Sequence, residues 1–487
     1  MKNLNPDRFL LLNQNLFSKA IISSSISYTF NELIHEVLKV ASYFNSQNIS
    51  VGDRIGIVGQ NHADYVISVL ALWQISAVPV LLNTRLTPRE IEEQILIANC
   101  SSTIVQKEFC EKVKSTTKKI MNCPFNANDY HAFAGRDKLD LNDPAVIIFT
   151  SGSTNKPKGI ILSFQSLFHS AVNSNQLLRY NHSDRWLASL PFYHVGGFST
   201  ITRSLIFSIP LVIPDSLSTG DLIKSMNICQ PTFISLVSAQ INKIVADEIH
   251  PNPELKNCLV GGGFSDIEII RKAYDLGWPV NIVYGATETA SFVAALLKDE
   301  IIFKPNSVGR AVPTNKIFVV DNAGHELKPF EIGEIAVQSN ALMSGYLDNT
   351  DTKAAVENGN YRTGDLGYLD EDGYLFIEGR KSLLISTGGE NVNPVEVEKI
   401  LLQHPMIKEA AVFPLRDKEW GEMIAAAIVL KNKSNNLSYD DLKSFMQKNI
   451  SGFKIPKKFF IEDQLPKTEL GKIEKEKLIN RYRLTSR

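Results

Sequence analysis

A chain of 487 residues is too long for one compact core and should divide into two or three domains. Its 44% hydrophobic and 21% charged residues, with a formal net charge of −1, exclude a disordered or polyelectrolyte chain. The same balance gives no reason to expect a nucleic acid partner or binding to an anionic membrane surface.

The start, MKNLNPDRFLLLNQN, has neither a continuous apolar run nor a small-residue cleavage site, so no leader is expected there. Helix-like and strand-like patterns then alternate. Thr29 is placed to cap a helix over 30–45, RIGIV at 54–58 reads as a buried strand, 64–75 as a helix and 78–82 as another strand. The most apolar stretch, residues 66–82, is broken by Gln74, Ser76 and Pro79, and reads as helix, turn and strand, not as a membrane span. A further buried strand is expected at AVIIF, 145–149, followed by strands at 186–190, 211–213, 233–236, 258–260 and 280–283. Strands about 20–45 residues apart with helices between them imply parallel βαβ units.

After Lys316, strand-like runs (IFVV, EIAV, YLFI) arrive close together around Gly-containing turns, which suggests a β-rich subdomain at about 316–379. A boundary is expected at 380–383. Beyond it, helices over 394–403 and 439–449 and strands over 409–414 and 425–430 compose an α+β unit of roughly 100 residues with a basic tail. The expected fold class is therefore α/β: a large N-terminal domain, 1–379, of parallel βαβ sheets plus the β-rich subdomain, and a small mobile α+β domain, 384–487. The short cluster KIPKK at 454–458 reads as a solvated face. The five cysteines are odd in number, scattered and without a CxxC pair, which argues against zinc and against a disulfide framework and fits a reducing cytoplasm.

Directly after the 145–149 strand comes FTSGSTNKPKG, residues 149–159, which packs hydroxyls, glycines and two lysines into one loop. Backbone N–H groups, hydroxyls and ammonium charge together suit phosphate oxygens. The spacing is not GxxxxGK[ST], so this is not the phosphate loop of P-loop NTPases. The string resembles the [ST]SG[ST]TxxPKG signature of the adenylate-forming superfamily. That resemblance implies that Thr150, Ser151, Gly152, Ser153, Thr154 and Lys158 hold the β- and γ-phosphates of ATP.

Further strings match the same superfamily in the same order over nearly the whole chain. VGGGF at 260–264 contributes Gly262 and Gly263, which let backbone approach a flat ring. YGATETAS at 284–291 implies that Tyr284 stacks on adenine beside Gly285, that Thr287 meets the α-phosphate and that Glu288 helps hold Mg²⁺. YRTGDLG at 361–367 places Asp365 as acceptor of both ribose hydroxyls. In GRKSLLISTGGEN at 379–391, Arg380 resembles the arginine that contacts ribose and phosphate. Ser382 occupies the hinge position, where relatives commonly carry Asp or Lys, and Leu383 departs from the usual acidic or polar residue. Gly388 and Gly389 resemble the loop that lines the thiol channel. PKTELGKIEKEKL at 466–478 carries Lys472 where the superfamily has its catalytic lysine.

The resemblance implies a two-step reaction with ATP, Mg²⁺ and coenzyme A: a carboxylate becomes an acyl-adenylate, then a thioester. LPFYHVGGFSTITR at 190–203 is similar to the acyl-pocket segment, with His194 at its histidine. A core histidine bonded to backbone is the alternative for that residue. No acidic residue occurs in the segment to pair a substrate ammonium, which argues against amino acids. Arg203, nine residues after His194, suits a second substrate carboxylate; a solvent-exposed arginine is the alternative. In length, and in DRWLASLPFYH and STGGEN, the chain resembles the o-succinylbenzoate–CoA ligases of menaquinone synthesis, which implies 2-succinylbenzoate as the acid. A CoA ligase for another aryl or aliphatic acid, an adenylating enzyme that loads a separate carrier protein, and a non-catalytic adenylate-binding fold are the competing readings. The sequence leaves a homo-oligomer open.

Overall fold

The computed structural model describes residues 16–113, 120–125, 130, 136, 138–151, 157–263, 266–357, 359–387, 390–417, 421–432, 437–468 and 471–483. Its contacts divide the chain into two units, Met1–Ile317 with Val337–Tyr361, and Phe318–Ala336 with Arg362–Arg487. The expected hinge at 380–383 falls inside the second of these.

The first unit is built on two sheets. One has seven strands in the order Gly345–Tyr346, Pro157–Ser163, Pro144–Ser151, Val78–Leu82, Arg54–Val58, Ser102–Gln106 and Ile120–Cys123. Its inner pairings are parallel, and the Pro144–Ser151/Pro157–Ser163 pairing is antiparallel. The other sheet has nine strands and is parallel from Phe233–Val237 through Asn257–Gly261 to Val280–Ala286, where Ser291–Leu296 returns antiparallel.

Local signals set these elements. The helix Phe30–Ser46 begins at a capping box in which Thr29 and Glu32 satisfy each other's free amides. Ala63–Gln74 is buried on every face, as a helix without a polar stripe must be. Its Trp73 is fully buried and donates its indole N–H to the Ala145 carbonyl at 2.6 Å, tying the helix to the strand that leads into the phosphate motif. The strand expected over 186–190 is confined to Trp186–Leu187. The chain leaves the sheet there because the Ser189 amide turns back onto the Leu187 carbonyl at 2.9 Å, and Pro191 follows. No helix among the described residues is long and apolar enough to cross a membrane.

In the second unit, residues 318–320, 333–336 and 362–369 are neighbours in one sheet, with Leu375–Arg380 antiparallel to the last of them. A second sheet runs Glu390–Val392, Ile385–Thr387, Gly421–Leu430, Ile407–Asp417, with Lys458–Ile461 parallel to Gly421–Leu430. Its central strands are buried on both faces, and alternate residues enter different cores. Val412 and Ile428 join one core with Val397 and Leu442; Phe413 and Ala427 join another with Leu465 and Leu478.

Candidate active site

Thr150 lies opposite Lys158, and Ser151 opposite Pro157, in an antiparallel hairpin. The two described flanks of the FTSGSTNKPKG string are thus paired antiparallel strands. Gly152, Ser153 and Thr154 lie outside the described residues, as do Gly388 and Gly389. At the foot of the hairpin, a Cβ on Gly159 would stand 2.3 Å from Leu347 Cδ1, so the Leu347 side chain would have to shift. The Leu347 amide donates to the Gly159 carbonyl at 2.8 Å, so residues just after Tyr346 lie directly against the motif.

Val280–Ala286 carries Tyr284 and Gly285 and ends in a single 3₁₀ turn, Thr287–Thr289. The Ala286 amide donates to the Thr289 hydroxyl at 2.9 Å, and that hydroxyl donates to the Ser291 carbonyl at 2.6 Å. This pins the turn and leaves Thr287 and Glu288 half-buried on it. Gly285 must be glycine for space, because a Cβ would lie 2.2 Å from the Ser291 carbonyl oxygen. Gly262 takes φ +81°, a conformation that favours glycine, at the end of its strand beside Gly263.

The Tyr346 hydroxyl donates to Glu288 Oε1 at 2.8 Å, and the Lys158 ammonium stands 5.3 Å from the centre of the Tyr346 ring. Burial, reinforced by the Glu288 carboxylate, raises the Tyr346 phenol above its ordinary range, which keeps it protonated and donating. Lys158 also pairs with Asp351 at 2.9 Å. Lys158 and Glu288, from two separate motifs of the sequence, therefore meet at one tyrosine. Among the described residues no group of three or more His, Cys, Asp and Glu could hold a metal alone. Glu288, a single half-buried carboxylate, is a donor of the kind Mg²⁺ takes, one or two at a time with water and substrate phosphates completing its shell.

His194 begins the helix Val195–Phe207 without a side-chain capping bond, and its ring lies edge-on to Tyr193 at 4.8 Å. Burial, with Arg85 adding to it, lowers its pKa to about 4, so the imidazole is neutral at pH 7. Asn61 fixes the segment before it: the side-chain amide donates to the Ala188 and Leu190 carbonyls at 3.0 and 2.8 Å and accepts the Phe192 amide at 2.8 Å.

Further along this helix Arg203 is 2% exposed, which removes the reading of it as a surface arginine. Its Nη2 donates to Ser291 Oγ at 2.9 Å, and its guanidinium lies 5.1 Å from the Trp186 ring and 5.3 Å from the Phe292 ring. Its Nε has no hydrogen-bond partner, and no described carboxylate pairs with it. Burial lowers its pKa, with Tyr180 opposing. A buried cation without a counter-ion is costly.

In the second unit, Asp365 and Arg380 stand opposite each other on adjacent strands, Nε to Oδ1 2.7 Å apart. The Asp365 amide donates to Thr363 Oγ1 at 3.0 Å, and the Thr363 hydroxyl to the Ile335 carbonyl at 2.9 Å. Lys472 lies on a turn in which the Thr468 amide donates to the Lys472 carbonyl at 2.7 Å and Gly471 takes φ +79°. Buried Leu465 and Leu478 anchor that turn on both sides. Surrounding protein lowers the Lys472 pKa, Arg380 adds to this, Asp365 opposes it, and Lys475 lowers it further. The aspartate, arginine and lysine singled out from three separate motifs thus share one electrostatic neighbourhood. Ser382 lies in the 3₁₀ turn Lys381–Leu383, whose Lys381 is held by Glu334 at 3.1 Å.

Two α/β sheets carrying a hydroxyl-rich hairpin and an acidic turn, followed by a small α+β sheet that presents a lysine, define a class of enzyme. The AMP-binding enzyme family model matches residues 13–347, and that of the AMP-binding enzyme C-terminal domain matches 396–472. The chain belongs to the AMP-binding, adenylate-forming superfamily, as an acyl-CoA ligase of that group. It is 32% identical over 456 residues to the 2-succinylbenzoate–CoA ligase of Geobacillus sp. (strain WCH70), covering 92% of each chain. The o-succinylbenzoate CoA synthetase of Bacillus subtilis, solved in complex with its acyl-adenylate intermediate, superposes with a TM-score of 0.88 at 29% identity, covering 97% of this chain and 98% of that one. The same enzyme solved with ATP and magnesium ion gives 0.87 at 29% identity, covering 98% and 99%.

Proposed function

We propose that this chain converts 2-succinylbenzoate to its CoA thioester through an acyl-adenylate, in menaquinone synthesis. The observation that carries this reading is Arg203: a buried guanidinium flanked by two aromatic rings, with an unpartnered Nε and no carboxylate partner among the described residues. An acid with one carboxylate would spend that group on ATP. A diacid keeps a second for Arg203. The 32% identity to a 2-succinylbenzoate–CoA ligase supports the choice of diacid.

In this reading Thr150, Ser151, Gly152, Ser153, Thr154 and Lys158 take the β- and γ-phosphates, Gly262, Gly263, Tyr284 and Gly285 the adenine, Thr287 the α-phosphate, and Asp365 with Arg380 the ribose. The substrate carboxylate attacks the α-phosphorus and pyrophosphate leaves. Negative charge gathers on the phosphoryl oxygens, where Thr287 donates a hydrogen bond and Lys472 supplies positive charge. Mg²⁺ held by Glu288 and the phosphates would supply further neutralisation. Neutral His194 lines the acyl side and offers shape and a hydrogen bond without charge. The CoA thiolate then attacks the acyl carbon and AMP leaves. Residues 384–487 change pose about Ser382 between the steps, withdrawing Lys472 and presenting Gly388 and Gly389 to the thiol. The test is ATP–pyrophosphate exchange over a panel of mono- and dicarboxylic acids, followed by detection of CoA thioesters. Exchange with 2-succinylbenzoate above all other acids is expected; turnover of coumarate or a fatty acid without it would replace the substrate.

A further inference from the structure

We propose that Tyr346 is a positioning residue for adenylation, setting the distance between the chain's metal-side carboxylate and its phosphate-side cation. The inference rests on the reading of Glu288 and Lys158 given above and goes beyond it, because neither sequence motif contains Tyr346.

The geometry begins in the backbone. Gly345 takes φ +152°, with the Thr352 hydroxyl 2.9 Å from where a Cβ would lie, and the Tyr346 amide donates to that same hydroxyl at 2.8 Å. The short strand so formed pairs with the phosphate hairpin, Gly345 opposite Ile161 and Tyr346 opposite Ile160. On one side of it the Met343 amide donates to the Glu288 carbonyl at 2.7 Å; on the other the Leu347 amide donates to the Gly159 carbonyl at 2.8 Å. Residues 343–347 are therefore bonded through their backbone to both motifs, and Tyr346, only 8% exposed, sits between them.

The side chain repeats the connection. Its hydroxyl ties up Glu288 Oε1 at 2.8 Å. A carboxylate with one oxygen fixed has lost the rotation that would otherwise oppose metal binding, and such outer partners are typically worth 10–100-fold in metal affinity. The ring meanwhile attracts the Lys158 ammonium at 5.3 Å, within cation–π range, and Asp351 holds the same ammonium from another direction.

Tyr346→Phe separates the two roles, since it keeps the ring and the strand and removes only the hydroxyl. Mn²⁺ affinity in the presence of ATP, read from the paramagnetic resonance of free Mn²⁺, should fall roughly 10-fold. In a Glu288→Ala background the same substitution should cost nothing more, because the group it positions has gone. Tyr346→Leu should add a rise in KM for ATP by releasing Lys158. Wild-type Mn²⁺ affinity in Tyr346→Phe, or a full additional loss in the double variant, would overturn the role of Tyr346. Unchanged Mn²⁺ affinity in Glu288→Ala would instead overturn the metal reading of Glu288 on which it rests.

Discussion

Arg203 donates a 2.9 Å hydrogen bond to the hydroxyl of Ser291, a residue whose own backbone is at φ +142°, directly after Ala290 at +52°. Two consecutive non-glycine residues in the region that favours glycine must be held there by their surroundings. The Thr289 hydroxyl supplies part of that hold by donating to the Ser291 carbonyl. The strained corner therefore connects the pinned acidic turn of Glu288 to the buried guanidinium.

Ser291→Ala should remove the side-chain hydrogen bond to Arg203 and leave a buried donor unsatisfied. The expected cost is about 1–3 kcal/mol of stability, measured as a drop in the urea midpoint at unchanged slope. A variant as stable as wild type would mean that Arg203 finds another acceptor.

Much of this arrangement was legible in the sequence. Apolar runs mark most of the strands and Thr29 marks its helix start, because these depend on neighbours in the chain. The environment of Arg203 was not legible, since Trp186, Ser291 and Phe292 come from distant segments and burial is decided only by packing. Tyr346 was missed for a related reason. In GYLDNTD the visible signals are a glycine and a capping aspartate, and these describe a turn; the bond from Tyr346 to Glu288 spans 58 residues. The hold of Glu334 on Lys381 was likewise not legible, since the two lie 47 residues apart.

If Lys472 serves adenylation as proposed, its lowered pKa should make that half-reaction sensitive to alkali. Only the ammonium stabilises charge on the phosphoryl oxygens, so adenylation should fall as pH rises through a pKa below the ordinary lysine range. Lys472→Ala should lower pyrophosphate exchange about 10²–10³-fold while sparing thioester formation from pre-made acyl-adenylate. Lys472→Arg should keep its charge and lose the alkaline limb. Asp365→Asn removes the group that opposes the shift and should move that limb to lower pH. Equal loss of both half-reactions in Lys472→Ala would remove the two-pose account.

Protonation of His194 works in the acid direction. Its folded pKa of about 4 lies below the ordinary 6.5, so below pH 6.5 the unfolded chain binds a proton that the folded chain refuses. Its contribution to stability is complete above pH 6.5 and is lost progressively as pH falls toward 4. His194→Gln should flatten this part of the stability profile, read as denaturation midpoints at pH 7.5 and pH 5. A wild-type profile that matches the variant would show that the imidazole is not held neutral.

The assignment of a diacid can be tested without turnover. If a second carboxylate is the missing partner of Arg203, 2-succinylbenzoate should raise the melting temperature of the wild-type protein, whereas benzoate at equal concentration should raise it little. Arg203→Met replaces an uncompensated buried cation by an apolar chain of similar length, so the free variant should be as stable as wild type or more so. That same variant should lose the stabilisation by the diacid, and in kinetics its KM for 2-succinylbenzoate should rise. Truncating one partner of a desolvated charge pair costs roughly 2–5 kcal/mol, a change far larger than the error of either measurement. A diacid shift that survives in Arg203→Met would place the second carboxylate elsewhere in the pocket. The proposed adenylation chemistry would be untouched by that result, since the proposal rests there on the 149–159 hairpin, Glu288 and Lys472 and not on Arg203.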